Sequence, residues 1–298
     1  MARGERPFLF CRYKIRSEEE SLGATAQLKL FEDIQGQAVS HRSREGIVAD
    51  TLLMRPRKIT VEGFTVLTWS VGQQQTARMK ADYDPVADEI RMVERNDEGL
   101  RFVDFVALPD LGVLAVDDRL NDIHFGGKQG ISRLKSVIRS EEGLDADIIY
   151  EATADEVQNA LKSWSLTNFN FTIRPNNPRP VSRLAEELSE QMKADGIGRL
   201  SARAVPKSDD TMQMGDSGLI QAVADLVDAG YGQLALAGRT EDGLRAEIKK
   251  PKYSADRQQN EAASEKPREL RVWVEVDANT TDDDVVIIAA EALIKFYS

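Results

Sequence analysis

One short segment contains the residue types that a metal-dependent nuclease requires. In TEDGLRAEIKK, Asp242 precedes the pattern Glu247-x-Lys249. Nucleases of the restriction-enzyme type hold Mg²⁺ with one carboxylate and with the acid of an Asp/Glu-x-Lys pattern, whose lysine helps to position water. Here the first acid lies in a tight turn, whereas those nucleases take it from a separate strand. A hairpin with a charged turn explains the segment better, and a nuclease using Asp242, Glu247 and Lys249 is kept as the alternative function.

Other reactive sites find less support in the residue spacing. His41 and His124 are the only histidines, and neither stands at a metal-type distance from another His or Cys. Cys11 lies in an apolar stretch, which is typical of a core thiol, and a single cysteine excludes an internal disulfide. The acids of Thr280–Val286 complement the N-terminal dipole of a helix capped by Thr281. We therefore predict no metal, no cofactor and no catalytic residue outside the nuclease alternative.

Basic residues form local clusters in an otherwise acidic chain. The segment FGGKQGISRLK puts glycines and a lysine before a helix, where backbone N–H groups bind phosphate readily, but the full GxxxxGK[ST] pattern is missing. From Lys128 to Arg139 there are four basic residues and no acid, and His41 to Lys58 holds five against two. Such segments are commonly solvated surface, and contact with phosphate is the alternative interpretation.

Hydrophobic periodicity predicts the elements that carry these residues. The first part of the chain reads as consecutive antiparallel strands, whereas residues 24–35 fit a helix or a strand equally well. The predicted strands are Pro7–Ile15, a hairpin over Arg57–Gly72 that turns at Glu62-Gly63, and two strands in Leu100–Asp118 that join at Pro109-Asp110.

Helical patterns begin after this meander. Ile131, Leu134 and Ile138 fall on one helical face. Thr153 and Glu156 form a capping-box pattern at the start of a helix that ends near Trp164.

The remainder of the chain predicts the order β-α-β-α-β-β-β-α. The residues expected to face its core are Phe169, Phe171, Ile173, Leu184, Leu188, Met192, Leu219, Val223, Leu226 and Val227. The sequence thus predicts an α+β protein of two domains. Residues 1–164 form a mostly antiparallel β-meander with helices, and residues 165–298 form a sheet with helices on one face, including a mobile loop at 250–269.

The bulk composition limits the function classes. A formal charge of −11 excludes a wholly basic nucleic-acid binder of the histone type. The longest apolar run, Val285–Ala290, is far shorter than the roughly 20 residues of a membrane span. The first residues lack the apolar region of a signal peptide, so we expect a cytoplasmic protein.

The second half resembles a group of mostly uncharacterised bacterial and prophage proteins. FNFTIRPNNPRP, an amphipathic helix and LALAGRTEDGLRAEIKK are similar to the C-terminal domain of the group that includes the phage-exclusion protein RexA, with KwaB as a more distant relative. LRFVDFVALPDLGVLAVDD, followed by GGKQGISRLKSVI, resembles the N-terminal part of the same group. The resemblance covers most of residues 7–298.

This resemblance implies a non-enzymatic antiphage defence protein that forms a homodimer and binds DNA without sequence specificity. It further implies a sensor of phage DNA that signals to a membrane-protein partner. An acidic protein-interaction module that binds a partner or mimics DNA is a further alternative. Because non-specific affinity depends on Lys and Arg contacts to phosphate, the local basic clusters must supply it. We predict DNA contacts from Lys128, Arg133, Lys135, Arg139, Arg55, Arg57 and Lys58, with Arg174, Arg179, Lys249, Lys250 and Lys252 as second choices.

Overall fold

The computed structural model describes most of the chain. The described residues are 4–18, 20–42, 48–84, 89–95, 99–121, 123–141, 143–150, 152–175, 182–207, 211–212, 214–215, 218–249, 269–277 and 280–298. The fold is α+β, as the sequence predicts, with six helices and mostly antiparallel strand pairs among these residues. No helix in these ranges is long and apolar enough to cross a membrane.

The chain folds into two compact units, and the second is inserted into the first. Unit 1 comprises Met1–Ile149 and Val274–Ser298, and unit 2 comprises Tyr150–Trp273. This clustering differs from the predicted division at residue 164 in two places. The helix over Ala154–Ser163 belongs to unit 2, where Gln158 hydrogen-bonds to Asp228, and the last helix belongs to unit 1. Of the predicted mobile loop, residues 250–268 lie outside the described residues, and Glu269 begins a strand.

Unit 1 contains a sheet in the order β1-β8-β7-β5-β4-β3, with β2 and β9 paired to β1 and β6 paired to β5. Its elements are β1 Gly4–Ser17, β2 Glu20–Ser21, α1 Ala24–Asp33, β3 Val39–Arg42, β4 Val48–Val61, β5 Phe64–Asp84, β6 Glu89–Arg95, β7 Leu100–Leu108, β8 Val113–Asp117, α2 Gly127–Arg139, β9 Leu144–Ile149 and α6 Asp282–Tyr297. In the undecided segment 24–35, residues Ala24–Asp33 form a helix.

The predicted hairpin between β4 and β5 is confirmed. Val61 pairs with Phe64, and Glu62 and Gly63 both have positive φ, 48° and 84°, as a two-residue type I′ turn requires. The core behind these strands is aromatic, since Trp69 stacks on Phe105 with ring centroids 5.4 Å apart. The helical face of Ile131, Leu134 and Ile138 is buried in α2, as predicted.

Unit 2 contains a sheet in the order β11-β10-β12-β13-β14. Its elements are α3 Ala154–Ser163, β10 Ser165–Ile173, α4 Arg183–Ala194, β11 Leu200–Ala204, α5 Leu219–Asp228, β12 Gly232–Arg239, β13 Arg245–Lys249 and β14 Glu269–Val276, whose last three residues belong to unit 1. From β10 to α6 the order is the predicted β-α-β-α-β-β-β-α.

The cores of the helices follow the predicted periodicity with two corrections. Phe169, Phe171 and Ile173 are buried on the side of the sheet that α5 covers. Leu219 was expected to face inward but is 54% exposed, because it is the first helical residue of α5 and precedes the packed turns. In α4 the buried row is Ala185, Ser189 and Met192, so Leu184 and Leu188 lie at the edge of the packed face and are half-buried.

Candidate nucleic-acid interface

Most of the predicted DNA contacts in unit 1 have partners of their own. Arg55 pairs with Asp104 at 3.1 Å, Arg57 with Asp283 at 3.0 Å, and Arg139 with Asp145 at 2.7 Å. The Nζ atom of Lys135 donates a hydrogen bond to the backbone oxygen of Ile148 at 3.1 Å. These contacts offset three of the positive charges that were predicted to face phosphate.

The other predicted contacts do not gather on one element. Lys58 is exposed on β4, Lys128 and Arg133 are half-buried on α2, and Arg174 is exposed just after β10. Arg179, Lys250 and Lys252 lie outside the described residues.

The Gly-Gly-Lys sequence at the start of α2 is compatible with a phosphate site. The backbone N–H of Gly127 already donates to the Oδ1 atom of Asp118 at 3.0 Å. A carboxylate thus occupies the position at the helix N-terminus that a phosphate oxygen would take.

Arg55 contacts residues of neighbouring strands in unit 1. Its φ of 52° is positive, and the pairing of β4 with β5 is irregular between Met54 and Arg57. From this bulge its Nη2 atom reaches the Ser70 hydroxyl at 2.7 Å, and its guanidinium lies 5.4 Å from the ring centroid of Phe102. This geometry fits a residue that tethers two strands.

Among the described residues, three potential metal ligands converge: Asp104, Asp117 and His124, whose ligand atoms lie within 4.8 Å of one another. Guanidinium groups already occupy them. Asp117 Oδ2 accepts from Arg6 Nη2 at 2.7 Å and from Arg119 Nε at 2.8 Å.

The protonation of this cluster also opposes a cation. Because a guanidinium only donates, the 2.7 Å contact of Arg119 makes Nε2 of His124 the acceptor, which leaves the proton on Nδ1, 2.9 Å from Asn121 Oδ1. Burial lowers the pKa of His124, and the positive charge of Arg119 lowers it further. With both ring nitrogens engaged and two arginines present, the cluster fits a charge network that joins β1, β7 and β8, and not a metal centre.

The residues of the nuclease alternative do not form such a convergent group. Glu247 and Lys249 lie on β13 and form an ion pair at 2.9 Å. Asp242 is exposed in the turn before β13. The one convergent group of three potential ligands among the described residues contains neither carboxylate.

A second row of basic side chains lies on β1 in unit 1. Arg12, Lys14 and Arg16 alternate on its exposed side and line a cavity of about 460 Å³. On the neighbouring strand β9, Asp147 lies directly opposite Lys14, and Asp145 lies opposite Arg16. Opposite charges at directly paired positions stabilise each other, so two of the three cations in this row face acids, whereas Arg12 lies opposite Ile149.

Unit 2 presents a sheet face with a different charge balance. We call it the open face. It lies opposite the side that α5 covers, as the alternation along each strand dictates. Its side chains belong to Asn168, Asn170, Thr172, Ser201, Arg203, Gln233, Ala235, Ala237, Arg239, Arg245, Glu247, Lys249, Glu269, Arg271 and Trp273. Of these, Glu269 is fully buried.

The open face has an excess of positive charge. Within unit 2 its five cations and two carboxylates leave a formal +3, whereas the whole chain has −11. Glu275, the next residue on this side of β14, belongs to unit 1 and would lower the sum to +2. Two more acids, Glu241 and Asp242, are exposed in the turn at its end. Lys249 and Arg271 pair with Glu247 and Glu269 at 2.9 and 3.2 Å. The other cations of this face are Arg203, Arg239 and Arg245, and all three are exposed.

Two of these arginines face each other. Arg239 pairs with Arg245 across β12 and β13, and like charges at directly opposed positions are destabilising. Arg239 donates to the Gly243 carbonyl oxygen at 2.9 Å, and the Arg245 guanidinium lies 4.6 Å from the ring centroid of Trp273. An anion placed between the two guanidinium groups would relieve the repulsion.

Polar groups continue the open face toward β11. Arg203 Nε donates to Asn168 Oδ1 at 3.0 Å, and the hydroxyls of Thr172 and Ser201 are 2.9 Å apart. In the middle of β12, between this side and the basic side, lie the short side chains of Ala235 and Ala237. The centre of the open face is therefore lower than its two flanks.

Sequence reasoning identified Lys249 on this face and missed its other cations. The alternation in LSARA, RAEIK and ELRVWVEV contains the signal, because it puts Arg203, Arg245, Arg271 and Trp273 on the polar side of their strands. The strand order that brings them together depends on pairing between distant segments, which that alternation does not specify.

Comparison with known proteins places the chain in a family. Residues 79–270 match the model of DUF4747, a domain of unknown function. The chain belongs to this family. No curated protein matches it.

The DUF4747 match includes most of the open face. It begins within β5 and ends at the second residue of β14. Arg203, Arg239 and Arg245 therefore lie inside the matched region, whereas Arg271 and Trp273 lie just beyond it.

Proposed function

We propose that this DUF4747 protein is a non-enzymatic antiphage defence protein that binds DNA without sequence specificity through the open face of unit 2. The observation that carries the proposal is the local charge. A formal +3 within unit 2 on one sheet face, in a chain of −11, favours the approach of a polyanion to this face.

The geometry of the open face favours phosphate over base-specific contacts in a duplex. Sequence is read from duplex DNA by a helix or a two-stranded ribbon that enters the major groove. A sheet of five strands is too broad for that groove, so its arginines meet the backbone. Backbone contacts contribute affinity and carry no direct sequence information.

The defence role follows from the resemblance to the RexA group, as do the homodimer and the membrane-protein partner. Its test is a plating assay in which bacteria with and without the gene are challenged with phage. A lower plating efficiency, lost when Arg239 and Arg245 are replaced, supports the role. Equal plating across a broad phage panel rejects it.

DNA binding is tested by fluorescence anisotropy with two labelled DNAs of unrelated sequence. Phosphate contacts from Arg203, Arg239 and Arg245 predict a log–log salt slope of about −2.7 for duplex DNA, which is about 40-fold weaker binding at 200 mM than at 50 mM salt. We expect equal affinities for the two sequences. Binding that is absent, or that does not change with salt, contradicts the proposal.

The nuclease alternative makes an opposite prediction in one assay. Plasmid incubated with the protein and Mg²⁺ or Mn²⁺ should stay intact if the protein only binds DNA. Metal-dependent cleavage that disappears in Glu247→Gln would establish the enzyme instead, because Glu247 would hold the metal.

A further inference from the structure

We infer that the open face selects single-stranded DNA and that one base stacks on the Arg245–Trp273 pair. This inference rests on the proposed function and adds the form of nucleic acid that is bound. Three features of unit 2 carry it: the breadth of the face, the stacked pair and the polar groups beside it.

The breadth of the open face disfavours a duplex. Five neighbouring strands span about 19 Å at a spacing of about 4.8 Å, whereas the major groove is about 12 Å wide. A duplex can therefore contact the face only through its phosphates, and its bases do not reach Trp273. A single strand can lie flat, with phosphates and bases both in contact.

The stacked pair provides a surface for a base. The guanidinium of Arg245 lies 4.6 Å from the centroid of the Trp273 ring, and Trp273 is half-buried, so part of the indole remains accessible. Trp69 and Trp164, the other two tryptophans, are 2% and 3% exposed. Bases stack on aromatic rings and on guanidinium planes irrespective of sequence.

The groups around the pair complement the rest of a nucleotide chain. Arg239 and Arg203 supply positive charge on either side of the low centre formed by Ala235 and Ala237. Asn170 lies next to Arg203 across β10 and β11, and its amide can both donate to and accept from base edges. Positive charge, a stacking surface and neutral polar groups together match single-stranded DNA.

The test compares three labelled probes of one mixed sequence: single-stranded DNA, the DNA duplex and single-stranded RNA. Stacking of one base contributes about 1–3 kcal/mol, so we expect single-stranded DNA to bind at least about fivefold more tightly than duplex. Single-stranded DNA should also quench the protein fluorescence, because Trp273 is the accessible tryptophan.

Three variants separate stacking from charge. Trp273→Ala should weaken single-strand binding by about fivefold or more and leave duplex binding unchanged, whereas Trp273→Phe, which keeps a ring, should retain most of it. Arg245→Lys keeps the charge but loses the planar group, so it should reduce the single-strand preference. Thermal unfolding of each variant establishes that unit 2 remains folded. The fluorescence quenching is measured on the wild-type protein, so it tests stacking even if a variant fails to fold.

The outcomes distinguish the two proposals. Equal affinity for single strand and duplex, with no quenching, overturns the inference and leaves sequence-independent DNA binding intact. Tighter binding to RNA than to DNA overturns DNA as the occupant. Failure to bind any probe defeats the inference and the proposed function together.

Discussion

Asp117 is the residue on which the charge network of unit 1 depends. Its side chain is fully buried and accepts hydrogen bonds from Arg6 and Arg119. Burial raises the pKa of Asp117, but the hydrogen bonds and charges of Arg119 and Arg6 outweigh burial, so that the net pKa lies below the ordinary value. The carboxylate is ionised in the folded protein and holds a nearly buried arginine in place.

Replacing Asp117 with Asn should destabilise unit 1 strongly. The change leaves Arg6, which is 7% exposed, without its closest acidic partner, and such losses cost about 3–5 kcal/mol. The control is Asp145→Asn, which breaks the exposed pair with Arg139 and should cost less than about 1 kcal/mol. Urea unfolding followed by fluorescence measures both, and a loss in Asp117→Asn as small as that expected for the control would show that the network is not important for stability.

His124 makes the stability of unit 1 depend on pH. Its pKa is lowered in the folded protein, by burial and then by Arg119, so the unfolded chain binds a proton more readily, with a pKa of about 6.5. The contribution of His124 to the free energy of unfolding should be fully present above that value and should be lost as the pH drops toward the lower pKa of the folded state. Asp117 adds a second loss below about pH 4, because its own folded pKa is depressed.

The histidine effect is measured by urea unfolding at pH 7.5 and 5.5. We expect the wild-type protein to be less stable at the lower pH and His124→Gln to show a smaller difference. His41, the other histidine in the chain, serves as the matched control through His41→Gln. If His124→Gln shows the same pH dependence of stability as the wild-type protein, a group other than His124 is responsible for it.

At the scale of elements, the turn between β12 and β13 separates the binding and nuclease hypotheses. Glu241 and Asp242 are exposed at the end of the open face, where their negative charge opposes phosphate. The double variant Glu241→Gln, Asp242→Asn should therefore bind DNA more tightly, by severalfold at low salt, and the gain should shrink as salt screens the charges. Anisotropy at two salt concentrations measures this, whereas a nuclease would instead lose cleavage activity with Asp242.

Local pattern was sufficient to predict most single elements. The capping residues Thr153 and Thr281 both start helices, because their hydrogen bonds reach only three residues along the chain. The hairpin turns at Glu62-Gly63 and Gly243 are equally local, since they require a positive φ. Arg55 was not predictable in this way, because its bulge and its contact with Asp104 depend on partners that are far away in sequence.

At the scale of the whole molecule, the order of elements was predictable and their grouping was not. The chain leaves unit 1 after β9 and returns to it within β14, so that α6 packs on β7 and β8. The hydrophobic periodicity of α6 predicts a buried helical face, but it does not indicate whether that face packs on unit 1 or on unit 2. Sequence also shows only those basic residues that are close along the chain, so the predicted DNA contacts were short basic segments. The open face instead combines cations from the separate strands β11, β12, β13 and β14.

The central claim is that the open face binds DNA, and a charge-reversal comparison tests it most directly. Arg239→Glu with Arg245→Glu changes the charge of the open face, and Arg183→Glu with Lys193→Glu changes the charge equally on α4, which packs on α5. Anisotropy at one low salt concentration compares both proteins with wild type, after thermal unfolding has shown that each is folded. We predict that the first variant loses about tenfold or more in affinity and that the second stays close to wild type. Equal losses in the two variants, or none in the first, would contradict DNA binding by the open face.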